Sequence, residues 1–280
     1  MMSRARANRL RLLLGTEIPL ALILAFGLLP WLWMMLSAIR PSADWTHLPL
    51  RLLPSRVTFV HIAELLGQTS FLANLENSLI VAAGTLALGL ALAVPAAYAF
   101  SRFRFRGRKT FRTLFLVINM FPVILLLLPL FVIFRGLHLL DTYLALILAD
   151  ATFALPFAVW LLSGYMESIP RDLDEAAMMD GASRAQAMRL VIMPLALPGI
   201  IAVGIYLFIA SWNDYLFALM LSGERVRTVT VALQMFIGEN QVQWGLLTAG
   251  GTLVALPVVF LFLAVQRHLV GGLTGGAVKE

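Results

Sequence analysis

The sequence contains no cysteine and few charged residues, and both absences restrict its function. Without thiols, the chain can form no disulfide and offers no thiolate to a metal ion. Charged residues make up 13% of the 280 residues, whereas a soluble domain carries about 25%. The histidines share no motif with an acid or a serine, so we predict no catalytic residue and no metal site: His47, His61, His138 and His268.

Apolar residues are abundant instead, at 60% of the chain. A helix needs about 20 apolar residues to cross roughly 30 Å of hydrocarbon. We therefore predict an all-α membrane protein, a single membrane domain over 1–280. Its six transmembrane helices are predicted at 16–39, 77–101, 113–135, 142–166, 197–221 and 243–266.

Lysine and arginine are distributed unevenly between the loops, which predicts the orientation. Six spans place both termini on one side of the membrane, and that side holds 15 of the 21 basic residues. The positive-inside rule assigns this side to the cytoplasm. The N- and C-termini and the connection between the fourth and fifth spans are therefore predicted to be cytoplasmic. The net charge of +6 is explained by this topology rather than by nucleic acid.

The connection at 168–198, which we call the elbow, is polar and contains helix signals. It includes "DEAAMMDGASRAQAMRLVIMPLALPG" at 174–199. Ser168 as N-cap and Gly181 as C-terminal stop predict a helix over about Pro170–Asp180. Its first turn holds three acids, which suit the positive end of the helix dipole. One face is predicted to be low and alanine-rich, with Leu173, Ala176, Ala177 and Asp180 at i, i+3, i+4 and i+7.

A second short helix follows in the elbow. Ser183 and Gln186 have the spacing of a capping box, and the helix is predicted to run to about Met193, where Pro194 interrupts it. The elbow is thus a helix–turn–helix rather than a flexible linker. Two interpretations remain open: an amphipathic hairpin on the membrane surface, or a docking surface for a cytoplasmic partner.

Residues of the elbow resemble the EAA loop of permease subunits of ATP-binding-cassette (ABC) importers. In that pattern EAA is followed by a glycine four residues beyond the last alanine, and later by Ile-x-Pro. The matching residues here are Glu175, Ala176, Ala177, Gly181, Ile192 and Pro194. Segments such as "NLENSLIVA" at 74–82 and "SWNDYLFAL" at 211–219 resemble the MalG-type carbohydrate branch, and this resemblance covers nearly the whole chain. The chain departs from the pattern at its end, where Glu280 follows Lys279 in place of the usual glycine.

The resemblance implies a set of partners and a coupling role for the elbow. It implies a second, MalF-type permease subunit, a dimer of ATP-binding subunits, an extracytoplasmic solute-binding protein and the lipid bilayer. ATP and Mg would be bound by the ATPase, since this chain has no G-x-x-x-x-G-K-[ST] motif and no cofactor of its own. The implied ATPase-coupling residues are Glu175, Ala176, Ala177, Asp180, Gly181, Ile192 and Pro194. The tail supplies a further candidate ATPase contact, formed by Gly275, Gly276 and Lys279. The competing interpretation is that the tail is a frayed chain terminus without a partner.

Polar residues within the predicted spans are candidates for the substrate pathway. Hydrogen bonding between spans is the competing use, and the sequence leaves both open. These residues are Asn119, Asp150, Trp212, Asn213, Asp214 and Tyr215.

The resulting prediction is a multi-pass permease subunit in the cytoplasmic membrane of a bacterium or archaeon. It would import a carbohydrate, such as an oligosaccharide, disaccharide or related glycoside, by alternating access, and it would not be an enzyme. The alternatives are an ABC importer permease for a non-sugar solute such as a glycerol phosphate ester, and a secondary transporter. The secondary transporter is disfavoured because such transporters commonly have more spans and inverted repeats.

Overall fold

The structure, a computed structural model, describes residues 13–45, 52–238 and 241–274. Helices dominate these residues, and the predicted all-α architecture is confirmed. Contacts between Cα atoms divide the chain into two compact units, which are described separately below. One comprises Met1–Phe71 with Met235–Leu256, and the other comprises Leu72–Gln234 with Pro257–Glu280.

The helices, in chain order, are numbered α1 to α13. They are α1 (Ile18–Ala38), α2 (Val60–Gln68), α3 (Phe71–Arg102), α4 (Arg108–Met120), α5 (Ile124–Gly136), α6 (Tyr143–Glu167), α7 (Asp172–Met179), α8 (Arg184–Ala187), α9 (Met193–Leu195), α10 (Leu197–Trp212), α11 (Leu216–Leu221), α12 (Val229–Gln234) and α13 (Trp244–Thr274). Two π-helical turns, at Leu13–Glu17 and Met188–Ile192, and a 3₁₀ turn at Ser42–Trp45 complete the regular structure.

Four of these helices are each long and apolar enough to cross a membrane: Gly15–Ala38, Phe71–Arg102, Tyr143–Glu167 and Trp244–Gln266. Two further candidates are bent pairs, which raise the number to six if each pair is one span. Arg108–Met120 and Ile124–Gly136 meet at 98°, and Arg184–Leu195 meets Leu197–Trp212 at 79°.

The stretch at 113–135, predicted as one helix, is therefore two helices with a sharp break. Pro122 explains the break, because it has no N–H to donate and disfavours helical geometry in the preceding residue. Phe121 is accordingly extended (φ −74°, ψ 132°) and ends α4. A second break follows α10, where residues 213–215 leave the helix before α11 begins. The sequence reasoning missed both interruptions.

The core of the larger unit lies where α6 packs against α10. Small residues on α6, including Ala154 and Ala158, are buried against Val203 and Leu207 of α10. Gly199 permits α10 to approach α6 closely, since a Cβ there would lie 2.5 Å from the Tyr165 ring. Small residues at helix crossings are typical of packing between membrane helices.

A buried cation marks the end of α1 in the smaller unit. Arg40 is fully buried, and its guanidinium lies 4.9 Å from the Trp33 ring centroid and 5.4 Å from that of Trp45. Its Nη2 also donates to the Leu52 carbonyl at 3.0 Å. The cation is thus stabilised by two aromatic faces and a backbone carbonyl.

A turn between α5 and α6 holds the segment that follows α11. Asp141 adopts a positive φ of 57°, and its carboxylate accepts backbone hydrogen bonds from Gly223 (2.8 Å), Val226 (2.9 Å) and Arg225 (3.2 Å). Burial acts to raise the pKa of Asp141, but these N–H groups, helped by the Arg225 charge, hold the pKa below its ordinary value. The Asp141 carboxylate therefore holds the backbone of residues 223–226 in place.

Candidate functional site

The first half of the elbow is a two-turn helix, α7. It begins at Asp172 rather than Pro170, because Ser168 ends α6 instead of capping α7. The Ser168 hydroxyl donates to the Tyr165 carbonyl at 2.7 Å, so the predicted N-cap was wrong. Gly181 adopts φ +89°, as a glycine after a helix C-terminus does. The predicted stop is therefore confirmed.

The second half of the elbow contains the predicted capping box. The Ser183 backbone N–H donates to Gln186 Oε1 at 2.8 Å, and the Gln186 N–H donates to Ser183 Oγ at 3.3 Å. The chain then passes through the π turn and continues helically past Pro194 to Leu195, so Pro194 does not end the helix. The bend occurs at Ala196, between α9 and α10.

The elbow residues with implied coupling roles differ in exposure. Four of them face solvent in this chain, as does Pro194: Glu175, Ala176, Asp180 and Gly181. Ala177 is half-buried, and the apolar Met179 is 87% exposed beside them. Ile192 is fully buried in the core with Ala196 and Met166. Ile192 therefore packs within the chain and offers no surface to a partner.

An acid missed as a site residue attaches α7 to the end of α3. Asp174 is 6% exposed, although it directly precedes the exposed Glu175. One carboxylate oxygen accepts from the Tyr98 hydroxyl at 2.8 Å, and the other lies 2.7 Å from Arg102 Nε. We call these three residues the Asp174 anchor. Breaking a buried ion pair leaves an uncompensated charge, so the anchor holds α7 firmly.

Further polar contacts reinforce the root of the elbow. Arg171 donates to the Ser101 carbonyl at 2.9 Å, and Arg102 donates to the Met166 carbonyl at 2.9 Å. Glu167, at the end of α6, pairs with Arg112 at 2.6 Å and also with Arg108. The elbow is thereby tied to α3, and α3 and α4 are in turn tied to the end of α6, from which the elbow continues. A movement of α7 would reach α3 directly, and α6 and α4 through these contacts.

A second candidate site is a cavity of about 150 Å³ in the larger unit. It brings together three of the six predicted pathway residues: Asn119 from α4, Asp150 from α6, and Asp214, which follows α10. We call it the acidic cavity. Both helix breaks border it, through Phe121 and Val123 at one and Asp214 at the other. Irregular backbone inside an apolar bundle is tolerated where it lines a cavity or is buried in protein.

The polar groups of the acidic cavity have contacts within the chain. Ser211 donates to Asp150 Oδ2, and the described residues supply no hydrogen bond to Asp150 Oδ1. The Asp214 carboxylate accepts from the backbone N–H of Ala218 at 2.9 Å and of Phe217 at 3.4 Å. Asp214 thus caps α11, while Asp150 links α6 to α10 with one oxygen.

The other three predicted pathway residues do not line the cavity. Trp212 is 2% exposed and stacks on Phe208 with ring centroids 5.5 Å apart. Asn213 is exposed, and Tyr215 is half-buried. The candidate tail contacts Gly275, Gly276 and Lys279 lie outside the described residues. In the described part of the chain, no cluster of three or more His, Asp or Glu side chains is arranged to hold a metal.

Comparison with known proteins identifies the family. A family model described as "Binding-protein-dependent transport system inner membrane component" matches residues 85–274. The chain belongs to this family. Among family relatives, the trehalose transport system permease protein SugB of Mycobacterium tuberculosis (strain CDC 1551 / Oshkosh) is 40% identical, over 92% of this chain and 94% of SugB. The trehalose/maltose transport system permease protein MalG of Thermococcus litoralis is 34% identical, over 97% of both chains.

A solved structure supports the same fold. The chain is similar to a subunit of a bacterial ABC transporter involved in the import of the acidic polysaccharide alginate. The two share 25% sequence identity with a TM-score of 0.78, over 94% of this chain and 97% of that chain. The family's inner-membrane description agrees with the apolar helices. This chain is therefore a multi-pass membrane component of a transport system.

Proposed function

We propose that this chain is a permease subunit of an ABC importer that moves a carbohydrate into the cytoplasm. The observation that carries the proposal is the elbow, whose exposed Glu175, Ala176 and Gly181 stand beside the buried Asp174 anchor. A low alanine surface lets another protein approach closely, and the anchor passes its movement to the helices. Relatives named for trehalose, maltose and diacetylchitobiose transport support a sugar as the solute.

The proposed assembly contains several partners. A dimer of ATP-binding subunits would receive the elbow and bind ATP and Mg, while a second permease subunit would complete the pore. A solute-binding protein would deliver the sugar on the opposite face. The elbow and both termini would lie in the cytoplasm of a bacterium or archaeon. ATP-driven closure of the ATPase dimer would move the elbow and convert the pore between its outward-open and inward-open states.

The coupling role is tested with Ala176→Trp in the complete importer, co-expressed with its partner subunits. Ala176 is exposed, so the indole changes the docking surface without disturbing the core. We expect sugar uptake to fall at least about tenfold, which corresponds to about 1.4 kcal/mol of lost interaction. The ATPase should either fail to co-purify or hydrolyse ATP without transport.

The matched control is Gly67→Leu on α2, an exposed glycine where a new Cβ meets no atom within 4 Å. Normal ATPase binding and uptake in Ala176→Trp would refute the coupling role. The sugar assignment is tested separately, by titrating the cognate solute-binding protein with trehalose, maltose, amino acids and phosphate. Binding of amino acids or phosphate alone would overturn it.

A further inference from the structure

The acidic cavity has a lining that discriminates between classes of solute. Its volume of about 150 Å³ equals the volume that about five water molecules occupy in liquid water. Two carboxylates, an amide and a phenol line it, from Asp150, Asp214, Asn119 and Tyr206. Within the described part of the chain, no lysine, arginine or histidine contributes to the lining. An anionic solute would therefore find no cation in this lining to balance its charge.

Asp150 has free acceptor capacity toward this cavity. The residue is only 7% exposed, and Ser211 occupies its Oδ2. Among the described residues no hydrogen bond reaches Oδ1, so this carboxyl oxygen can still accept one. A hydroxyl group entering the cavity would supply that donor.

Aromatic rings complete a lining that suits a sugar. Phe153 and Phe217, with ring centroids 4.9 Å apart, both line the cavity, as does Tyr206. Sugar rings combine hydroxyl donors at their edges with apolar C–H faces, and these two features match carboxylate acceptors and aromatic faces. Helix breaks at membrane depth are also where transporters commonly bind their substrates.

We propose that the acidic cavity is a subsite for a ring of an uncharged sugar, held through its hydroxyl groups, and that it disfavours acidic sugars. This inference rests on the proposed function, since it requires that a carbohydrate crosses the membrane beside this chain. Asp150 accepts from a sugar hydroxyl, while Asp214 caps α11 and, like the rest of the lining, offers no positive charge to an acid. A site can exclude a class of ligand by leaving its charge without a partner.

The experiment reconstitutes the complete importer in proteoliposomes with its solute-binding protein. It measures the sugar molecules transported per ATP hydrolysed. Asp150→Asn keeps the size of the side chain and an acceptor for Ser211 but replaces the second acceptor oxygen with an amide donor. We expect transport per ATP to fall about tenfold, since the amide group cannot accept the hydrogen bond from the sugar hydroxyl and leaves that hydroxyl without a partner.

The matched control is Ser211→Ala, which removes the hydrogen bond between α6 and α10 but leaves the carboxylate. If Asp150 only packs the helices, Ser211→Ala should lower transport as much as Asp150→Asn, and that result would overturn the subsite. Unchanged transport in Asp150→Asn would overturn it too.

The charge class is tested with the same wild-type importer, using trehalose and maltose as uncharged probes and an alginate oligosaccharide as the acidic probe. Transport of an uncharged sugar supports the inference. Transport of the acidic probe alone would refute the inference and leave the proposed function intact. If the importer moves no carbohydrate, the proposed function itself fails.

Discussion

At the scale of single residues, a buried acid organises the elbow. Asp174 stands directly before the exposed Glu175, yet its carboxylate is enclosed by Tyr98 and Arg102. The sequence reasoning treated Asp174 as one of three acids stabilising a helix N-terminus. Its partners could not be predicted, because Tyr98 lies 76 residues earlier and no local pattern indicates a contact at that separation. The exposed residues and the anchor are thus adjacent in sequence but differ in function.

Asp174→Asn should destabilise the larger unit. Removing the carboxylate leaves the buried Arg102 without its counter-charge, which typically costs about 3–5 kcal/mol. We expect a lower midpoint of thermal unfolding in detergent and poorer coupling of ATP hydrolysis to uptake. Asp172→Asn, at an exposed acid of the same helix, should change the unfolding free energy by less than about 0.5 kcal/mol. Equal midpoints for the two variants would contradict the anchor.

Asp141 makes stability depend on pH in the acid range. Because its pKa is lowered in the folded state, its contribution is fully present above its unfolded pKa of about 3.9. The contribution is lost as the pH falls through the lowered pKa. We expect Asp141→Asn to reduce the free energy of unfolding by about 2 kcal/mol at pH 7. The deficit should shrink below pH 4, measured by thermal unfolding across pH, and a deficit that grows there would refute this account.

At the scale of elements, local signals were predictable and long-range ones were not. The capping box of Ser183 and Gln186 and the stop at Gly181 depend on neighbours a few residues apart, and both are present. The break at Pro122 also has a local signal, the proline itself. The prediction missed it because the apolar stretch at 113–135 is continuous and was interpreted as one span. The break at residues 213–215 depends on tertiary contacts, because Thr230 donates to the Asp214 carbonyl at 2.6 Å. Hydropathy alone cannot indicate that bond.

Gly181→Ala should loosen the turn between α7 and α8. A Cβ there meets no atom within 4 Å, so the cost comes from φ +89° alone, about 1–2 kcal/mol for a non-glycine residue. Hydrogen exchange at the amides of α7 should become faster. The control is Gly136→Ala, another glycine with open space around it but without a positive φ. Equal protection of α7 in both variants would show that the turn tolerates a side chain.

At the scale of the whole molecule, the absence of cysteine makes the orientation directly testable. The predicted topology places Arg106 in the cytoplasm and Glu224 outside, and both side chains are exposed. A membrane-impermeant maleimide should label Glu224→Cys in right-side-out vesicles and Arg106→Cys only in inverted vesicles. The unsubstituted chain gives the background. Labelling in the opposite pattern would reverse the proposed orientation of the elbow.

The Asp174 anchor also has a consequence for biogenesis. Arg102 and Asp174 are separated by 72 residues, which a ribosome adds in about 4–15 s. During that interval the guanidinium at the end of α3 lacks its carboxylate, while α4, α5 and α6 are still entering the bilayer. The ion pair closes only once these helices have been inserted and the elbow has been synthesised. A chain that stalls before residue 174 therefore cannot form the anchor and leaves the arginine at the end of α3 without its counter-charge.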